Sequence, residues 1–87
     1  AVYQELFGIR GAEMTCVPPA ELGVRLRKHV YRDMVLTARA AGAILLGICA
    51  PTKLGPLEPH LNPSPKSTWR LTKEHLLIAL RQSAHQQ

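Results

Sequence analysis

The chain contains little cysteine and few aromatic residues. Of its 87 residues only two are Cys, Cys16 and Cys49, and aromatic side chains amount to 5%. The two cysteines lie in separate apolar segments and form no C-x-x-C pair, which excludes a disulfide-rich scaffold and a closely spaced zinc motif. We therefore expect both to be reduced thiols that serve as small apolar side chains, with a single disulfide as the alternative.

The chain also lacks a long apolar run. The longest, residues 40–50, is interrupted by Gly42 and Gly47 and is shorter than the roughly 18–20 residues that a membrane span requires. Residues 1–5 have neither the basic nor the apolar region of a secretory signal, and there is no initiator Met. Hydrophobic residues make up 46% of the chain, which is typical of a globular domain. We therefore expect a soluble fragment excised from a longer protein.

Acidic residues are scarce relative to basic ones. Six Asp and Glu stand against eleven Lys and Arg, which gives a formal net charge of +5. The acids are spread over separate predicted elements, no nucleophile has an obvious base beside it, and neither a G-x-G-x-x-G motif nor a P-loop is present. We therefore predict that the chain is not an enzyme.

Four basic residues fall on one side of a predicted helix: Arg25, Lys28, Arg32 and Arg39. Such a face could bind nucleic-acid phosphates or acidic lipid because their counterions are released, and a small basic nucleic-acid-binding domain is the alternative function. A solvated helix face has the same pattern, and the few aromatic residues leave no platform on which bases could stack. We therefore expect no direct nucleic-acid partner.

The apolar pattern predicts one α+β domain, a small β-sheet covered by one long helix. Apolar residues three or four apart indicate helices, and alternating or continuous apolar runs indicate strands. The proline-rich residues 52–68 are predicted to form a loop with a short edge strand at 57–61. The other predicted elements are a helix end or linker at 1–8, a strand at 12–17, a long helix at 21–41, strands at 43–49 and 75–80, and a frayed tail at 83–87, with the α+β core at 9–82.

The two short strands predicted at 43–49 and 75–80 contain nearly all the apolar side chains of the predicted sheet. One helix cannot readily cover both faces of such a sheet, so a second copy or another domain is expected to cover the rest. A self-contained core with a small exposed patch is the alternative. The residues expected in the core or in a dimer interface are Ile44, Leu46, Ile48, Leu77 and Ala79.

Three stretches of the chain follow one another in the order of a known family. Residues 2–7 with residues 11–14 are similar to a helix and a first strand, and residues 42–48 are similar to an a-I-x-I-G-I strand. The third stretch consists of Asn-Pro at 62–63, a short link, a polar turn and the apolar strand at 75–80. Together they resemble the C-terminal (TrkA-C-like) subdomain of the regulator-of-potassium-conductance (RCK) family.

The chain departs from this family pattern at two positions. Glu74 stands where the family usually has Asp before its last strand, and Cys49-Ala50-Pro51 replaces the Arg that often follows the Gly-Ile strand. The Rossmann-like subdomain of the family is not part of this sequence.

The resemblance implies a regulatory, ligand-sensing and dimerisation domain of a potassium (cation) channel or transporter, on the cytoplasmic side of the cell membrane. The implied partners are a second copy, the Rossmann-like subdomain and the pore. No cofactor is expected in the fragment itself, whereas a small ligand or divalent ion of unknown identity is left open. Candidate ligand-binding residues are Glu58, His60 and Asn62, of which the first two point the same way if their segment is extended.

Overall fold

Strands and a single α-helix make up residues 12–82, the part of the chain that the computed structural model describes. The strands are β1 (Ala12–Val17), β2 (Lys28–Val30), β3 (Ala43–Pro51), β4 (Leu57–Leu61), β5 (Thr68–Arg70) and β6 (Leu76–Gln82); the helix is α1 (Tyr31–Ala40), and a 3-10 helix spans Pro19–Leu22. The predicted α+β class, with a small sheet and one helix, is confirmed. The predicted helix end at 1–8 and tail at 83–87 lie outside the described residues.

Four strands form an antiparallel sheet in the order β1-β6-β3-β4. The two continuously apolar segments, β3 and β6, lie in its middle, since central strands are shielded by neighbours on both sides. β4 lies at one edge, where Pro59 can be accommodated because an edge strand need not donate every amide. The four strands predicted at 12–17, 43–49, 57–61 and 75–80 are therefore confirmed.

The core lies between α1 and one face of the sheet. Side chains alternate along each strand, and the register places Val17, Leu77 and Ile48 side by side across β1, β6 and β3 on the face towards α1. The helix adds Met34 and Ala38, which are four residues apart and fully buried. The whole buried cluster comprises Val17, Leu22, Val24, Tyr31, Met34, Ala38, Ala43, Leu45, Ile48, Leu71, Leu77 and Ala79.

The long helix predicted at 21–41 is wrong over its first half, because α1 begins only at Tyr31. Gly23 has a φ of 76°, a left-handed conformation that suits glycine and ends the preceding 3-10 helix. Leu22 is buried as the helical pattern requires, but Leu26, which a helix would also bury, is 49% exposed. Apolar spacing alone does not distinguish a helix from a turn followed by a strand.

A second, two-stranded sheet replaces the missing half of the helix. β2 pairs antiparallel with β5, so that His29 lies opposite Trp69. Trp69 packs against the core cluster and its indole N–H donates to Ser67 Oγ at 3.0 Å. We call this pair of strands the ribbon. It joins the start of α1 to the loop before β6, and the apolar pattern of the sequence predicted neither strand.

No helix within residues 12–82 is long and apolar enough to cross a membrane, since α1 has 10 residues.

Candidate functional site

Two of the three candidate ligand residues lie together on β4. Glu58 and His60 are two residues apart in an extended strand, so both point to the α1 side of the sheet. His60 Nε2 lies 3.7 Å from Glu58 Oε1, and both side chains are largely solvent-accessible. The His60 ring also meets the Trp69 ring edge-on, with centroids 5.1 Å apart. Glu58 and His60 are therefore adjacent, as predicted. The contact between His60 and Trp69 joins β4 to the ribbon.

Asn62, the third candidate, is directed elsewhere by its backbone. Its φ of 53° is the one positive value of a non-glycine residue among residues 12–82; Asn adopts this region more readily than most residues. Its backbone N–H donates to Leu46 O at 2.8 Å, which ends β4 and turns the chain. Asn62 therefore lines a cleft near α1 rather than joining Glu58 and His60 in one site.

The cleft lies between the first turn of α1, β3 and the loop after β4. Its volume is about 310 Å³, and it is lined by Tyr31, Arg32, Val35, Leu45, Asn62, Pro63 and Pro65. Burial raises the pKa of the Tyr31 phenol, which donates to Leu45 O at 3.4 Å. The lining is mostly apolar, with one guanidinium and one carboxamide, which suits a small molecule with an apolar body and an anionic or carbonyl end.

The first two backbone amides of α1, next to the cleft, already donate hydrogen bonds within the chain. Tyr31 N donates to Ser67 O at 2.8 Å and Arg32 N to Pro65 O at 3.0 Å. The loop thereby satisfies two of the amides that a helix leaves unpaired at its start. A bound anion would consequently be held by the Arg32 and Asn62 side chains and not by these amides.

A metal site is not assembled around Glu58 and His60. Throughout residues 12–82, no three or more His, Cys, Asp or Glu side chains come close enough to share a metal ion. Two ligands on an exposed strand fall short of the four-ligand structural sites and three-ligand catalytic sites of zinc proteins.

The face of the sheet turned away from α1 is apolar, and we call it the open sheet face. Alternation and register assign to it Met14, Cys16, Ile44, Cys49, Leu57, Leu61, Leu76, Ile78 and Leu80. Met14 and Ile44 are each 44% exposed, and Leu61 is 67% exposed. Ile78 and Leu80 of the central strand β6 are buried within this face, at 6% and 3% exposure, so its exposed apolar surface lies on the flanking strands.

The residues expected in the core or interface divide between the two faces. Ile48, Leu77 and Ala79 are fully buried towards α1. Ile44 belongs to the open sheet face and is partly exposed. Leu46 is half-buried at the irregularity where the register of β3 against β6 shifts by one residue.

Both cysteines lie on the open sheet face, on the strands that flank β6. They are free thiols, Cys16 exposed and Cys49 half-buried. Burial raises the pKa of the Cys49 thiol, and the neighbouring Cys16 adds to this effect. Because the thiolate is the reactive form, Cys49 is a poor nucleophile at neutral pH, and the two residues contribute apolar surface to this face.

The predicted basic helix face does not exist as such. Arg25 lies in the loop before β2 and Lys28 lies in β2, so only Arg32 and Arg39 of the four are on α1. Lys28 instead lies directly opposite Arg70 of β5. The basic residues near β2 are thus grouped by the ribbon and not by a helix.

His75, which the sequence offered with His60 as a possible metal ligand or as a hydrogen-bonded histidine, is the buried polar side chain among the described residues, at 8% exposure. Its Nδ1 accepts the Thr72 backbone N–H at 3.0 Å, which orders the turn before β6. Burial lowers the pKa of His75 from its ordinary value of 6.5, and Glu74 opposes this shift. A Thr-x-x-His spacing at the start of an apolar strand was the available signal.

This lowered pKa makes stability depend on pH. Below pH 6.5 an unfolded chain protonates this histidine while folded His75 stays neutral, so the free energy of unfolding should fall as pH decreases from about 7 towards the folded-state pKa. Urea titrations across this range would measure it. His75→Asn should flatten the dependence, and an unchanged slope in this variant would refute the assignment.

Comparison with protein-family models, with curated proteins and with solved structures finds no match for this chain.

Proposed function

We propose that the chain is a non-enzymatic regulatory domain that pairs with a second copy and senses a small ligand. The resemblance of residues 42–48 and 62–80 to the RCK C-terminal subdomain supports a role in a potassium (cation) channel or transporter, on the cytoplasmic side of its membrane. The Rossmann-like subdomain and the pore are then the further partners in the full-length protein.

The open sheet face is the observation that carries the pairing. Ile78 and Leu80 of the central strand β6 are buried in it, at 6% and 3% exposure, whereas Met14, Ile44 and Leu61 on the flanking strands remain between 44% and 67% exposed. A contiguous apolar face of this kind is stabilised when a second surface removes it from water. A second copy of the same face is a self-complementary partner, as a two-fold dimer requires.

The cleft beside α1 is the place where we propose that a ligand binds. Arg32 and Asn62 provide the polar groups, and Val35 and Leu45 provide apolar walls. A ligand in this cleft contacts both the helix and the sheet, so its affinity depends on how the two are arranged. Such a ligand favours one arrangement of the two paired domains over another only if it binds the two arrangements with different affinities.

Pairing is tested by the molar mass in solution. Over a roughly hundredfold dilution series, which covers about 2.8 kcal/mol of association free energy, light scattering should give twice the 9.6 kDa of one chain. Ile44→Asp should give the monomer mass, because a carboxylate on the open sheet face would lose its water in the interface. Ile44 is 44% exposed, so the variant should still fold.

Leu54→Asp is the matched control for this test. Leu54 lies in the turn between β3 and β4 and is 93% exposed, so the same change of charge there should leave the dimer mass unaltered. A 9.6 kDa mass of the unchanged protein at every concentration would contradict pairing. Equal dissociation of both variants would contradict pairing through this face.

The alternative, a nucleic-acid-binding domain, has less support from the geometry. Its main argument was the basic helix face, and α1 carries only Arg32 and Arg39 of that set. Trp69, the aromatic side chain nearest to the remaining cations, packs against the core and offers no ring on which a base could stack.

A further inference from the structure

A tight turn before β2 presents a leucine to solvent. Arg27 N donates to Arg25 O at 3.0 Å, a bond across three residues that defines a γ-turn with Leu26 at its tip. The Leu26 side chain is 49% exposed. About half of this apolar side chain is therefore accessible to a partner at the tip of the turn.

The turn is held firmly on both sides. His29 Nε2 donates to Arg25 O at 2.8 Å, and Leu71 N donates to Arg27 O at 3.1 Å. The second bond continues the pairing of the ribbon beyond β5. Leu26 is therefore presented by an ordered support and not by a free loop.

Cations surround the exposed leucine. Arg25, Arg27 and Lys28 are all exposed, and Arg70 lies directly opposite Lys28 across the ribbon. Like charges placed opposite each other in a sheet are destabilising. Among residues 12–82, none of these four cations forms a salt bridge with an acidic side chain. We call the four cations together with Leu26 the basic corner.

We propose that the basic corner docks onto an anionic lipid surface. Lipid headgroups supply the negative charges that residues 12–82 do not place beside the four cations, and the adjoining hydrocarbon receives Leu26, the combination that characterises interfacial binding segments. Single-stranded nucleic acid fits less well, because it would leave the leucine unpaired and find no exposed ring for stacking. Docking at this corner is independent of whether two copies pair through the open sheet face.

The test is co-sedimentation of the full chain with vesicles of phosphatidylcholine alone or with about 30% phosphatidylserine. Binding should require phosphatidylserine and should weaken as salt rises from about 0.1 M to about 0.5 M. The double variant Lys28→Gln with Arg70→Gln should lower the partition coefficient about 25-fold. Leu26→Ser, which leaves the charge intact, should lower it about tenfold.

A double variant with the same change of charge is the control. Arg39→Gln with Lys53→Gln removes one Arg and one Lys from α1 and from the β3–β4 turn, outside the basic corner, and should bind vesicles nearly as well as the unchanged protein. Equal losses in both double variants would overturn the proposal, because charge alone would then explain binding. Absence of binding to phosphatidylserine vesicles, or binding to single-stranded RNA in its place, would overturn it as well.

Discussion

Leu77→Ala should destabilise the domain by about 2–5 kcal/mol. Leu77 is fully buried in the central strand β6, between Val17 on β1 and Ile48 on β3. Removing its methyl groups leaves a cavity where three strands meet the helix, and packed interiors collapse only partly around such a cavity. Urea unfolding followed by circular dichroism would measure the change.

The size of this effect matters because domains of this length have only about 5–15 kcal/mol of stability in total. Leu54→Ala is the control, since Leu54 is 93% exposed, and its effect should stay within about 0.5 kcal/mol. Similar losses in the two variants would mean that Leu77 is not part of a close-packed core.

Gly47→Ala should separate β4 from β3 and disturb both candidate ligand regions. A Cβ at position 47 would collide with the carbonyl oxygen of His60 and lie 3.0 Å from the Cα of Leu61, both of them backbone atoms of β4. Backbone cannot move aside as a flexible side chain does, so we expect a loss of about 1–3 kcal/mol or more. The bond from Asn62 N to Leu46 O, next to this contact, should break as well.

Fluorescence gives a readout specific to this displacement. Trp69 is the only tryptophan of the chain, and its ring centroid lies 5.1 Å from that of His60 on β4. Gly47→Ala should therefore change the emission of the folded protein, and amide exchange should accelerate in β4 while β6 stays protected. An unchanged spectrum together with unchanged exchange would show that β4 does not pack against β3 at Gly47.

Gly42→Ala serves as the comparison for this variant. Gly42 has a φ of 85° but no atom within 4 Å of an added Cβ, so its cost comes from backbone conformation alone, about 1–2 kcal/mol. It should destabilise the protein without altering Trp69 fluorescence. Comparison of the two variants thus separates the cost of a steric clash at Gly47 from the cost of an unfavourable backbone conformation at Gly42.

The strands were predictable because their determinants are local. A continuously apolar run such as 43–49 is stable only where neighbouring elements remove it from water. Prolines such as Pro18 and Pro51 mark the ends of strands. The helix was predictable only in part. Its second half is an ordinary amphipathic helix, whereas the segment before Tyr31 pairs with β5, some 40 residues later along the chain.

The positions of the candidate ligand residues were likewise predictable only in part. The spacing of Glu58 and His60 sufficed to place them on one side of a strand, as the 3.7 Å separation of His60 Nε2 and Glu58 Oε1 shows. Asn62 is only two residues beyond His60, but the left-handed turn directs it to the cleft at α1. The cleft has no local signature, because it is assembled from segments distant in sequence. The basic corner has one in the consecutive residues 25–28, but only strand pairing adds Arg70 to it.

The sequence by itself determined the α+β class and four of the strands. These follow from residue periodicity, which acts over a few positions. The tertiary structure decided which face of the sheet is covered, that Lys28 lies opposite Arg70, and that Leu26 lies at the tip of a turn. Those features depend on strand pairing between distant segments, whose register is fixed by burial of one sheet face and not by local preference.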